Sequence, residues 1–163
     1  MKIRISGIVN DSIVDGKGIR FAVFVQGCPH HCVGCHNPQT HDFYGGVEYD
    51  TAEIIQMMNA NPIVGGITLT GGEPFCQAEP CSVLARAAHE RGLNVWCYTG
   101  YKYENINKSK AGELLLKDVD VLVDGRYDAA KRTLELPFRG SRNQRLIDVH
   151  KTLRSDSVIE YEL

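Results

Sequence analysis

Three of the six cysteines of this chain fall within eight residues, in Gly27-Cys-Pro-His-His-Cys-Val-Gly-Cys-His-Asn37, at the spacing C-x3-C-x2-C. The triplet supplies three thiolates, where a closed tetrahedral zinc site or a fully ligated cubane takes four ligands. A [4Fe-4S] cluster on Cys28, Cys32 and Cys35 leaves one iron open to a small molecule. The competing reading is a zinc site completed by His30, His31, His36 or His41. A disulfide framework fits less well, because the N-terminal Met1-Lys-Ile-Arg-Ile-Ser6 turns polar too soon for a signal peptide. In a reducing compartment, crowded cysteines more often bind metal.

Length and composition narrow the class. A chain of 163 residues has room for one domain with a real core, taken here as residues 1–163. Hydrophobic residues at 43% and charged residues at 23% are ordinary for a soluble globular protein. A net charge of -2 gives no argument for nucleic acid or an anionic membrane as partner. No apolar run is long enough to span a bilayer, so the expected location is cytoplasmic.

The pattern along the chain predicts alternating strands and helices. Ile19 to Val25 reads as a strand running straight into the cysteine loop, which continues to about Val47. A helix is expected from Asp50, with Asp50 as cap, Glu53 at the capping-box position and Pro62 beyond its end. Gly66 to Thr70 reads as a strand, a helix starts near Pro80 and stops at Gly92, and Leu93 to Tyr98 is the next strand. Glu113 to Lys117 reads as helix and Val119 to Val123 as strand, with later strands at Leu146 to Val149 and Val158 to Tyr161. This alternation predicts an α/β fold with a mostly parallel sheet. A closed (β/α)8 barrel takes about 250 residues, so an open, partial (β/α) barrel is expected. The cysteines, Gly71-Gly72-Glu73, Thr99-Gly100 and Asp124 each follow the C-terminal end of a strand, the edge that carries the site in parallel α/β folds.

Each motif also has a plainer reading. Gly71-Gly72-Glu73-Pro74 is a tight turn, or a place where a ligand approaches backbone lacking Cβ, with Glu73 and the strand-end carbonyls receiving an ammonium. Asp15-Gly-Lys-Gly-Ile-Arg20 also reads as a turn. Arg139 to Arg145 carries three arginines without interleaved aromatics, a poor nucleic-acid patch. Cys81 and Cys97 read as buried small hydrophobes, while Cys76 lies close to the Gly-Gly-Glu-Pro turn.

The cysteine triplet together with Ile67-Thr-Leu-Thr-Gly-Gly-Glu-Pro74 resembles the radical S-adenosylmethionine superfamily. Trp96-Cys-Tyr-Thr-Gly-Tyr101, Asp120-Val-Leu-Val-Asp-Gly-Arg126 and Arg139-Gly-Ser-Arg-Asn-Gln-Arg145 are similar to the activating enzymes of glycyl radical enzymes, in particular those of anaerobic ribonucleotide reductase. The likeness covers most of the chain. Two positions depart from it: Gly34 stands where many superfamily members have an aromatic, and Lys17 stands where related activases have proline.

This resemblance implies a radical SAM type of fold with one [4Fe-4S] cluster on Cys28, Cys32 and Cys35, since no cysteine lies between Cys35 and Gly71 to hold another. It implies that Asn37, Thr70, Gly71, Gly72, Glu73, Thr99, Asp124 and Arg126 contact S-adenosylmethionine. The reaction implied is reductive cleavage of that molecule to a 5′-deoxyadenosyl radical, which takes a hydrogen atom from a glycine Cα. The implied partners are the large subunit of anaerobic ribonucleotide reductase and a low-potential electron donor such as flavodoxin. Other readings stay open: activation of a different glycyl radical enzyme such as a formate-lyase, a small-molecule radical enzyme like a deazapurine synthase, and an iron-sulfur or zinc-binding module without activity.

Overall fold

Side-chain alternation along the strands decides which face of the sheet is core and which faces the site. The computed structural model describes residues 1–163. Its strands are β1 (Lys2–Ser12), β2 (Arg20–Val25), β3 (Val47–Asp50), β4 (Gly66–Gly71), β5 (Asn94–Tyr98), β6 (Val121–Asp124) and β7 (Arg145–Asp148). They form one seven-stranded sheet in the order β3-β1-β2-β4-β5-β6-β7. The central strands β2, β4, β5 and β6 run parallel. β1 is antiparallel to both β2 and β3, and β7 is antiparallel to β6. β3 and β7 stay at opposite edges, so the sheet is open, as the chain length requires.

The helices are α1 (Thr51–Asn59), α2 (Ala78–Glu90), α3 (Tyr103–Ile106), α4 (Lys110–Leu115) and α5 (Val149–Leu153). Asp50 caps α1 by accepting from the Ala52 N–H. α2 begins two residues before Pro80, because a 3-10 turn over Pro74–Gln77 feeds directly into it. It ends where Gly92 takes φ +80° and the Leu93 and Gly92 N–H groups return to the Ala88 and His89 carbonyls.

Phe21, Val23 and Val25 of β2, Ile67 and Leu69 of β4, Val95 and Cys97 of β5 and Leu122 of β6 belong to the larger core. Ile54, Met58, Leu84, Ala85, Ala88 and Leu115 pack on it from the helices. Truncating one such residue, Leu84→Ala for instance, would cost about 2–5 kcal/mol. The opposite face carries the alternate residues. Arg20, Thr68, Trp96 and Val121 lie towards its N-terminal end, and Phe24, Thr70, Tyr98 and Val123 towards the C-terminal end. Trp96, Val121, Val123 and Leu146 make a second, small core there, with Phe138 edge-on to Trp96. That face is more polar, and the site grows on its C-terminal half.

Some elements differ from the sequence reading. β1 was not expected because two irregularities in its pairing with β2, at Ile5/Gly7 and Val9/Ser12, erase its period. β3 is four half-exposed residues whose only strand partner is β1. Val158 to Tyr161 does not form a strand; it contributes one bridge, Ile147 to Glu160, and a bond from the Tyr161 N–H to the Leu146 carbonyl.

Candidate functional site

The loop after β2 and the ends of β4 and β5 are tied into one body by backbone hydrogen bonds. The Gly72 N–H donates to the Val25 carbonyl at 2.9 Å, and the Glu73 N–H donates to the Gly27 carbonyl at 2.9 Å. Gly71 must be glycine: its φ is +94°, and a Cβ there would meet Phe24 and Val25 backbone at 2.7 Å. At Gly72 a Cβ would run into the Gly27 carbonyl. The two glycines therefore let the β4 turn lie flat against the residue that precedes Cys28.

A cavity of about 630 Å³ opens beside this junction. Cys28, Cys32 and Cys35 line it together with Asn37, Thr70, Gly71, Gly72 and Thr99. The far wall comes from a hairpin that follows β6, through Tyr127, Phe138 and Gln144, and the near wall from Ser12 and Asp15. The volume lies in the range of small-molecule sites, about 300–1,000 Å³.

The thiols suit a cluster better than a single ion. The Asn37 N–H donates to Cys35 Sγ at 3.4 Å, and the His30 and Tyr127 amides favour the thiolates of Cys28 and Cys32. Such bonds tune iron-sulfur centres. Burial pushes the Cys28 and Cys32 thiols up, an effect a bound cation reverses. No three His, Cys, Asp or Glu side chains converge closely enough to share one ion. Cys28, Cys32 and Cys35 all line the one cavity. The one buried side-chain polar atom without a partner is Nε2 of His41, a residue of this wall.

Glu73 has another place than the one expected. Its carboxylate is fully buried and does not line the cavity. It accepts from the His30 ring (Nε2 to Oε1, 2.6 Å), the Thr99 hydroxyl (2.9 Å), the Gly100 N–H (2.9 Å) and the Phe75 N–H (3.0 Å). With those donors in place, it has no free lone pair facing an ammonium in the cavity, so it acts from behind the wall.

Asp124 and Arg126 do not pair with one another. Asp124 is 1% exposed and is held by Arg145, through Nε at 3.0 Å and Nη2 at 2.5 Å, and by the Tyr103 N–H at 2.8 Å. Arg126 is exposed and forms no ion pair; it lines a smaller neighbouring cleft of about 390 Å³ with Lys102 and Lys131. Its charge is near enough to Cys32 to favour the thiolate. Neither residue lines the main cavity. Of the Arg139 to Arg145 segment, Arg139, Gly140 and Gln144 do. Gln144 fixes the hairpin by accepting from the Gly140 N–H and donating to the Gly125 carbonyl.

Four contributors went unrecognised in the sequence. Asp15 and Ser12 reach the cavity from the end of β1, where Ser12 donates to Asp15 at 2.5 Å. Tyr98, whose hydroxyl donates to the Phe138 carbonyl at 2.8 Å, holds the hairpin over the sheet. His30 was weighed only as a metal ligand. Cys81 and Cys97 are fully buried in the larger core, where burial holds their thiols protonated, and Cys76 is exposed, outside the cavity lining.

Comparison with known proteins gives the chain's family. The family of 4Fe-4S single cluster domains matches residues 14–147. An anaerobic ribonucleoside-triphosphate reductase-activating protein from Pasteurella multocida is 35% identical over 140 residues, covering 81% of this chain and 89% of its own. The chain belongs to this family of activating proteins. The family member from Enterobacteria phage T4 is 36% identical over 139 residues, covering 82% of this chain and 86% of its own. The one from Escherichia coli K12 is 35% identical over 141 residues, covering 81% and 90%. Among solved structures, QueE from Escherichia coli matches 61% of this chain and 53% of its own at TM-score 0.48 and 15% identity, a likeness too partial to bear on function. No helix is long and apolar enough to cross a membrane.

Proposed function

We propose that this chain activates an anaerobic ribonucleoside-triphosphate reductase by generating its glycyl radical, and that residues 1–163 act as one radical SAM domain. The observation that carries the proposal is the one cavity that the three thiols line together with the glycine turn after β4. When bound, a single [4Fe-4S] cluster supplies the electron that cleaves S-adenosylmethionine to methionine and a 5′-deoxyadenosyl radical.

The protein's own residues bind and orient. Cys28, Cys32 and Cys35 would hold the cluster through three thiolates, one fewer than its irons. Thr70, Gly71 and Gly72 present strand-end backbone for the methionine end, and the absence of Cβ at the glycines allows close approach. Asn37 holds the loop in register, donating to Cys35 and accepting from the Thr40 hydroxyl at 2.6 Å. Thr99 and Asp15 offer polar groups on opposite walls. Glu73 and Asp124 support from behind, and Arg126 favours the Cys32 thiolate. No proton transfer by a side chain is needed, since the hydrogen moves as an atom. The electron comes from a low-potential donor such as flavodoxin, and the setting is the cytoplasm.

The test is anaerobic reconstitution with iron and sulfide, followed by reduction and addition of S-adenosylmethionine. The wild type is expected to release 5′-deoxyadenosine and to raise a glycyl radical signal in added reductase; Cys32→Ala is expected to do neither. Wild-type protein that carries a reduced cluster and yields no 5′-deoxyadenosine would end the proposal.

A further inference from the structure

His30 lies two residues from both Cys28 and Cys32, yet its ring turns away from the thiols. The imidazole is 4% exposed and donates from Nε2 to Glu73 Oε1 at 2.6 Å. It stands edge-on to Tyr101, with ring centroids 4.5 Å apart. Gly100 leaves the room for it: a Cβ at that position would sit 2.5 to 2.8 Å from three ring atoms. The His30 backbone N–H favours the thiolate of Cys28. Glu73, at the other end of the bond, also gathers the Thr99 hydroxyl and the Gly100 N–H at the end of β5.

We propose that His30 is a positioning residue for the cluster: its hydrogen bond to buried Glu73 locks the Cys28–Cys32 arm to the ends of β4 and β5. One carboxylate then sets both the place of the thiolates and the place of the backbone that receives the small molecule. This inference rests on the reading of the cysteine loop as a [4Fe-4S] site. Its physical basis is that an outer hydrogen bond fixes a ligand's orientation, and that N–H groups on the sulfurs tune the metal. Freed from Glu73, the arm would let the amide swing off Cys28 and let the open iron drift from the Gly71-Gly72 turn.

The test uses the reconstituted protein and two readouts other than turnover: the midpoint potential of the cluster, and the change in its reduced-state EPR spectrum on titration with S-adenosylmethionine. His30→Phe keeps the ring and removes the donor. It is expected to raise the half-saturating S-adenosylmethionine concentration about 10- to 100-fold, the range for outer-shell changes at metal sites, and to move the potential to more negative values. His30→Gln carries an amide N–H at nearly the reach of Nε2 and is expected to restore both, while the shorter His30→Asn is expected not to. Gly100→Ala, which displaces the imidazole without touching its chemistry, should behave like His30→Phe. A His30→Phe protein indistinguishable from wild type would overturn the inference. So would equal behaviour of the Gln and Asn variants, which also decides the matter if His30→Phe does not fold. A wild type that shows no cluster EPR signal would instead defeat the cluster reading beneath it.

Discussion

Arg145→Met would uncover a buried carboxylate, and the structure sets the size of the effect. Asp124 is 1% exposed and receives three hydrogen bonds, two of them from the Arg145 guanidinium. The same guanidinium also donates to Glu104 at 2.7 Å. The bonds to Asp124 first and Glu104 second hold the arginine in its charged form. Methionine keeps the stem and removes all the donors, leaving Asp124 with the Tyr103 N–H alone. Breaking a buried ion pair from one side costs about 3–5 kcal/mol. The Arg145 side chain is 30% exposed, so water can partly replace it, which places the loss at the lower end, about 3 kcal/mol. For a chain of this size that lowers Tm by about 6–12 °C. The second arm is Asp124→Asn, which still accepts from Tyr103 but carries no charge. Arg145→Met with Asp124→Asn should be more stable than Arg145→Met alone by about 2 kcal/mol, because the stranded charge is gone. Urea unfolding followed by circular dichroism reads all four proteins of the cycle. A single variant within about 1 kcal/mol of wild type would refute the reasoning, as would a double variant no better than the single.

Two further outcomes follow from other parts of the fold. Gly72→Ala puts a methyl against the Gly27 carbonyl; it should cost about 1–3 kcal/mol and lower iron uptake on reconstitution, both measurable against Gly7→Ala, whose Cβ meets nothing within 4 Å. Burial alone would raise Asp120, but hydrogen bonds from His89 and His150 (2.8 and 2.6 Å) and from the Val95 N–H outweigh it and hold the carboxyl below its ordinary value. A depressed carboxyl contributes stability above its unfolded pKa and loses it as pH falls through the folded value. Asp120→Asn should therefore cost about 1 kcal/mol at neutral pH, modest because both histidines and Asp120 itself are partly exposed, and the gap to wild type should close in acid below about pH 4.

What the sequence disclosed was local, and what it withheld was relational. β2, β4, β5 and β6 were legible because each is a short apolar run ending in a turn signal, and parallel strands buried on both faces need no subtler pattern. The cysteine loop, Gly71-Gly72 and Thr99 were legible because they sit at those ends. Glu73 was recognised as part of the motif, but its partners His30, Thr99 and Phe75 come from three segments, and no spacing encodes which donors a carboxylate will collect. Asp124 shows the same limit. The sequence places Arg126 two positions away, but β6 ends at Asp124 and Gly125 turns the chain there at φ +98°, and the guanidinium that reaches Asp124 comes from β7, where Arg145 lies directly opposite it in the register. β1 hid because its bulges break the alternation on which strand recognition depends.

The shape of the cavity bears on which substrate the proposed chemistry serves. A radical enzyme for a small heterocycle gains by enclosing it, since water and stray hydrogen donors must be kept out. Here the site lies at the open edge of an incomplete barrel, between the end of β1 and the hairpin after β6. Large apolar residues stand in solvent on the segments that border it: Val14 is 71% exposed, Val33 between two of the cysteines 84%, and Leu134 in the hairpin 90%. A macromolecule docking there would supply the missing wall itself, excluding water only when its own glycine-bearing segment is in place. The openness of the site thus suits the proposed protein substrate, because the wall that excludes water arrives with it.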